Sequence, residues 1–126
     1  MQRNLPGILW TALIVLLMGI PGNRFPEIRS FWDWLKPDKA IHIFLFGVWA
    51  YLAIRQNTPQ YPHSTKRIIC TAFLAGILLA AATEILQELV FVNRSGNIYD
   101  FFANVAGMVF GIILYLATHR KKSMKP

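Results

Sequence analysis

The chain has 126 residues, the size of one domain, with 55% hydrophobic and 15% charged residues and a mean hydropathy of +0.40. A soluble domain carries about 25% charged residues and spreads its apolar ones over one face of each element; here they run in long blocks, which excludes an ordinary soluble fold. The formal charge of +7 does not point to nucleic acid, because the basic residues stand at the ends of the apolar blocks, where the positive-inside bias puts them.

In chain order, the first block runs from about Leu5 to Ile20. Arg3 before it gives it the look of a signal peptide, but the small-residue cleavage pattern is poor, so a retained helix is expected. Residues 21–36 mix charges with Trp32 and Trp34, which predicts a segment at headgroup level. The second block, 37–54, starts at Pro37, a residue that suits a first helical position because its missing N–H is not needed there. Pro59 and Pro62 mark a solvated loop before the third block, 68–92, and a polar turn at 93–97 leads to the fourth, 98–117. A basic tail, 119–126, follows. A bilayer core about 30 Å thick takes about 20 helical residues. The expectation is an all-α single domain of four transmembrane helices, multi-pass in a bacterial cytoplasmic (inner) membrane. The single cysteine, Cys70, cannot form an intrachain disulfide and reads as a small apolar residue.

With four spans, the N-terminus, the 55–67 loop and the tail share a side that holds eight of the thirteen Lys and Arg residues, so the termini are expected in the cytoplasm. The start of helix two, the end of helix three and the start of helix four then meet at the outer face. The buried-range polar residues gather at those ends: Asp38, Lys39 and His42; Glu84, Gln87 and Glu88; Arg94; Asp100 and Asn104. At 1.5 Å per residue, His42, Glu84 and Asn104 lie about 8, 12 and 9 Å inside their helix ends, which is one layer. Asp100, Asn104, Gly107 and Gly111 form one stripe of helix four, and Ala72, Gly76, Ala80, Glu84 and Glu88 a similar one on helix three. Small residues at such spacing let backbones approach in lipid, so these two stripes are expected to pack together, with Glu84 facing Asn104.

Structural roles account for several of these residues singly. Asp38 suits a helix N-terminus, Asn97 and Asp100 are spaced as a capping pair, and Gln87 and Asn104 serve as interhelical hydrogen-bond glue. Placing Glu84, His42 and Arg94 at one depth is different, since each ionisable group costs about 2.5–3.5 kcal/mol on insertion scales and an apolar residue would not.

Asp38-Lys39-x-x-His42, then Glu84-x-x-Gln87, then Arg94-Ser95, Asp100, Asn104 and Gly107, in this order, resemble the VanZ-like family. The resemblance spans about Asp38 to Gly111 and implies a small multi-helix membrane protein of the cell envelope. The family's namesake is associated with reduced susceptibility to the glycopeptide antibiotic teicoplanin.

Lys39, His42, Glu84, Gln87, Arg94 and Asn104 are therefore the expected ligand-binding residues, supported by Asp38, Asp100, Gly107 and Gly111. The favoured expectation is a binding pocket for an anionic lipid or lipid-linked envelope group, without a cofactor and without a catalytic residue assigned. The rival is a membrane enzyme in which His42, Glu84 and Asp100 do acid–base or metal chemistry, although no dense metal-ligand motif is present. A third reading is an assembly protein that only packs against other membrane proteins. No polar path continues to the cytoplasmic side, which argues against a transporter.

Overall fold

The computed structural model describes residues 4–19, 37–58, 64–89 and 98–123, which fold into four helices without a strand. These are α1 (Leu5–Met18), α2 (Pro37–Asn57), α3 (Thr65–Leu89) and α4 (Ile98–Ser123). The all-helical expectation holds, with α2 and α4 running further at their C-termini than the apolar blocks do. Arg94 and the tryptophans of the 21–36 segment lie outside the described residues, as does the side chain of Asp38.

Each helix end has a local cause. Pro6 stands in the first turn of α1, and the Gly19 N–H closes its end by donating to the carbonyls of Val15 and Leu16 at 3.1 and 3.2 Å. At the end of α2, Asn57 and Thr58 donate back to the carbonyls of Ala53 and Ile54 at 2.7 and 2.6 Å. These bonds satisfy carbonyls that have no further helical N–H to accept from. Asp100 in the first turn of α4 meets the positive end of the helix dipole.

The tightest pair is α2 with α4, and its seam is glycine. A Cβ on Gly107 would run into the backbone carbonyl of Ile43, and one on Gly111 into that of Gly47, while one on Gly47 would stand only 3.1 Å from the carbonyl oxygen of Gly107. No side chain fits between the two backbones there. The expected seam between α3 and α4 is thus corrected: the small stripe of α4 faces α2. The small stripe of α3 looks instead toward larger side chains, with Gly76 against the Met108 sulfur and the Trp49 ring.

Around this pair lies a core of Ile14, Met18, Leu45, Phe46, Ala50, Ala80 and Met108, with a second cluster of Ile54, Ala72 and Tyr115 toward the other end. Helix α1 is fastened to it by polar atoms as well. Trp10 Nε1 donates to the Leu45 carbonyl at 2.8 Å, and Trp49 Nε1 to Thr11 Oγ1 at 2.9 Å. An indole N–H carried into an apolar interior needs such an acceptor. At the end of α2, Tyr115 donates to Thr58 Oγ1 at 2.9 Å, and His119 stacks on Tyr115 with ring centroids 4.1 Å apart.

The distribution of polarity is inverted relative to a water-soluble domain. His42 and Asn104 are 0% exposed, while Leu78 is 71% and Phe110 72% exposed. Large apolar side chains face outward on all four helices, among them Leu16, Phe44, Leu74, Leu89 and Ile113. A soluble monomer rarely exposes a contiguous apolar surface of this kind. Among the described residues, two helices, Thr65–Leu89 and Ile98–His119, are long and apolar enough to cross a membrane. With 21 residues, α2 spans about 31 Å but holds Asp38, Lys39 and Arg55 near its ends; α1, with 14, spans about 21 Å.

Candidate functional site

The first turns of α2 and α4 run side by side because the glycine seam beneath them leaves no room for the helices to splay. Lys39 and His42, on α2, therefore meet Asp100 and Asn104, on α4. The two α2 residues are three apart and the two α4 residues four apart, so each pair shares a helix face.

His42 lies fully buried at the centre. Its Nδ1 is 2.7 Å from Asn104 Oδ1, a hydrogen bond in which the ring N–H donates to the amide oxygen. On the other side of the ring, Nε2 is 3.9 Å from Asp100 Oδ2. The second carboxylate oxygen, Oδ1, is 3.9 Å from Lys39 Nζ. Lys39 remains partly open to the outside, with its side chain 22% exposed against 9% for Asp100, and its ammonium lies 6.0 Å from the centre of the Tyr99 ring. A chain of polar groups thus runs from a partly exposed ammonium through a carboxylate and an imidazole to a buried amide.

Helix α3 closes the third side with Glu84. One oxygen or nitrogen atom from each of His42, Glu84 and Asp100 lies within 4.8 Å of the other two. The predicted meeting of α2, α3 and α4 polar residues is present, with a different pairing: Asn104 turns its oxygen to His42 rather than standing as the partner of Glu84. Asp100, expected only in support, is central, since it touches both Lys39 and His42. Gly107 and Gly111 support the site through the α2 seam.

Gln87 is placed elsewhere. Buried on α3, its Nε2 points to the end of α1, 3.3 Å from the Met18 carbonyl and 3.5 Å from the Met18 sulfur. That bond satisfies a terminal carbonyl of α1 and ties the helix to α3. Glu88 is exposed. The buried polar atoms Asn104 Nδ2, Gln87 Oε1 and Gln56 Nε2 have no hydrogen-bond partner among the described residues.

Beside the polar layer an apolar groove of about 460 Å³ runs along the outer side of the α2–α4 pair, lined by Ala40, Ile43, Phe44, Gly47, Phe110 and Leu114 among others. Its lining begins at Ala40, the residue after Lys39 on α2. The glycines open it: where both backbones lack side chains, a trough remains on the surface. Sequence reasoning missed this groove and the Trp10 and Trp49 hydrogen bonds. Gly47, four residues after Ile43 in an otherwise bulky helix, and two indoles in apolar blocks were the available signals.

The family model described as VanZ/LLP1 matches residues 7–119, nearly the whole chain. No curated protein and no solved structure matches it.

Proposed function

From the premise that the chain belongs to the VanZ/LLP1 family, we propose that it is a four-span protein of the bacterial cytoplasmic membrane whose outer-face polar site binds the anionic head of a lipid or lipid-linked envelope group. The termini lie in the cytoplasm, where the larger share of basic residues belongs. In this arrangement the inverted polarity of the bundle becomes the ordinary polarity of a protein in lipid.

The observation that carries the reading is the juxtaposition of Lys39 with the apolar groove. Lys39 is the partly exposed end of the buried polar chain, and the groove whose lining begins one residue on, at Ala40, has the apolar chemistry for an acyl or polyprenyl chain. A phosphate or carboxylate at the ammonium would compete with Asp100 for it, at 3.9 Å a loose pairing that a better acceptor displaces. Arg94, four positions before α4 in the sequence and outside the described residues, is the candidate for a second cation that the motif implies. Through its namesake's link to teicoplanin, the family makes the cell envelope the place to look for the ligand.

The test is lipid retention by the full chain in nanodiscs, read by native mass spectrometry, with phosphatidylglycerol and a polyprenyl phosphate against phosphatidylcholine. Preferential retention of the anionic lipids, lost in Lys39→Ala and Arg94→Ala, is expected. Equal retention of all three lipids by the wild-type chain, or unchanged preference in both variants, rules the reading out.

A catalytic reading is favoured by one observation, the 3.9 Å approach of His42 Nε2 to Asp100 Oδ2 in a buried setting. Such a pair can move a proton to or from a bound group. Turnover of a lipid-linked substrate that disappears in His42→Gln while lipid retention persists would select it over simple binding.

A further inference from the structure

We propose that His42, Glu84 and Asp100 form a binding site for one divalent transition-metal cation, with Asn104 as the residue that orients the imidazole. The inference deepens the anion-binding reading, on which it rests for one point only, the identity of the ligand that completes the coordination.

Three helices contribute one ligand each, and the three ligand atoms lie within 4.8 Å of one another. Metal–nitrogen and metal–oxygen bonds of about 2.0–2.2 Å put tetrahedral ligand atoms about 3.4 Å apart. The groups are therefore within about 1.5 Å of closure, a distance that side-chain rotation covers without moving a helix. Imidazole with carboxylates is a donor set for Zn²⁺, Mn²⁺ or Fe²⁺ rather than Ca²⁺.

The orientation of the ring is the second, independent observation. With the amide oxygen of Asn104 2.7 Å from Nδ1, the proton of a neutral His42 is on Nδ1 and the lone pair on Nε2. That lone pair lies on the side of the Asp100 carboxylate, at 3.9 Å from Oδ2. A ring nitrogen and a carboxylate oxygen this close, with a second carboxylate within 4.8 Å, are a donor set that a shared cation suits. Metal-bound histidines commonly donate their other N–H to a carbonyl or carboxylate, which fixes the tautomer; Asn104 stands in that position, fully buried. Lys39 stands at 3.9 Å from the opposite oxygen of Asp100, so it does not lie on the side of Oδ2 that faces the imidazole. Two carboxylates also match the charge of a dication in a place where little water can do so.

The protein supplies three ligands, so at least one coordination position stays open. An oxygen of the anionic headgroup completes it in the presence of lipid and water in its absence. The metal would then polarise that headgroup at the end of the groove.

The experiment is titration of the chelator-stripped full chain in nanodiscs with MnCl₂ and, separately, ZnCl₂. Bound metal is counted by elemental analysis, and Mn²⁺ is examined by pulsed electron paramagnetic resonance. About one equivalent per chain is expected, with a single imidazole nitrogen in the Mn²⁺ sphere. Glu84→Gln and Asp100→Asn should each weaken binding at least about tenfold, and Asn104→Ala by about tenfold through loss of the ring's orientation. Melting of each metal-free variant checks that it is folded. Should a variant fail to fold, the nitrogen signal of the wild-type chain decides alone. A wild-type chain that takes up neither metal stoichiometrically, or holds Mn²⁺ without a coordinated nitrogen, overturns the site. Phosphatidylglycerol retention measured in the same samples with and without chelator separates the two readings. Retention without metal uptake removes the metal site and keeps the anion site; metal uptake without retention does the reverse.

Discussion

The two halves of the α2–α4 contact are built on opposite principles. Near the starts of the helices, His42, Asp100 and Asn104 place ionisable and amide groups in a buried layer, at a cost in stability that apolar residues would avoid. One or two turns further on, Gly47, Gly107 and Gly111 remove side chains altogether, and the backbones touch. The lower half explains why the helices adhere, through close packing of backbone on backbone. The upper half adds little adhesion and a great deal of specific geometry. A residue that stabilises and a residue that binds are therefore separable in this pair by only one or two helical turns.

The strongest way to break the lower half is Gly107→Leu. The new side chain would meet the Ile43 carbonyl, a backbone atom that cannot rotate away, so the helices must part. A loss of about 3 kcal/mol or more is expected, seen as collapse of the monodisperse peak and of thermal unfolding in detergent; a variant that melts like the wild type would show that the seam is looser than described. The upper half responds differently. Asn104→Leu strands the His42 Nδ1–H in the interior and should cost about 1–3 kcal/mol in a chemical or thermal melt. Adding His42→Phe removes the stranded donor as well, so the double variant should recover at least about half of that loss while remaining unable to bind ligand or metal. A double variant less stable than the single one would assign the layer a structural role instead. Lys39→Ala is gentler on stability, by less than about 1 kcal/mol, since the pair with Asp100 is long and its ammonium partly solvated. Its effect should appear in anionic-lipid retention alone. Glu88→Ala should leave both stability and retention within error, at about 0.5 kcal/mol or less, because Glu88 faces outward.

The contrast between Glu84 and Glu88 shows how far the sequence was legible. Apolar blocks located all four helices, and the depths of His42, Glu84 and Asn104 predicted their meeting in one layer. The faces were harder. A residue four places on is displaced by about 40° around a helix of 3.6 residues per turn. The α4 stripe alternates steps of four, three and four, so the displacements nearly cancel; Asp100, Asn104, Gly107 and Gly111 are all buried. The α3 stripe takes four steps of four, and by Glu88 it has rotated about 160° from Ala72. The buried face follows Ala72, Gly76, Ala80, Thr83 and Gln87 instead, leaving Glu84 at its margin and Glu88 outside. Which neighbour a small-residue stripe meets was beyond the pattern altogether. A glycine face says that something approaches closely, and only the matching gap at Gly47 identifies α2 as the helix that does. The imidazole's hydrogen bond to Asn104 was equally hidden, because depth along a helix says nothing of which of several groups at that depth will touch.

A join made of bare backbone has no rotamers through which to yield. Helices α2 and α4 must therefore behave as a single stiff part, latched at the far end by the Tyr115–Thr58 bond, and the backbone spacing beneath His42, Asp100 and Asn104 is set by that join. Glu84 alone rides on a helix held by deformable side chains such as Met108 and Trp49. Of the three groups around the site, the carboxylate of Glu84 is therefore the one whose distance to the imidazole the stiff join does not set.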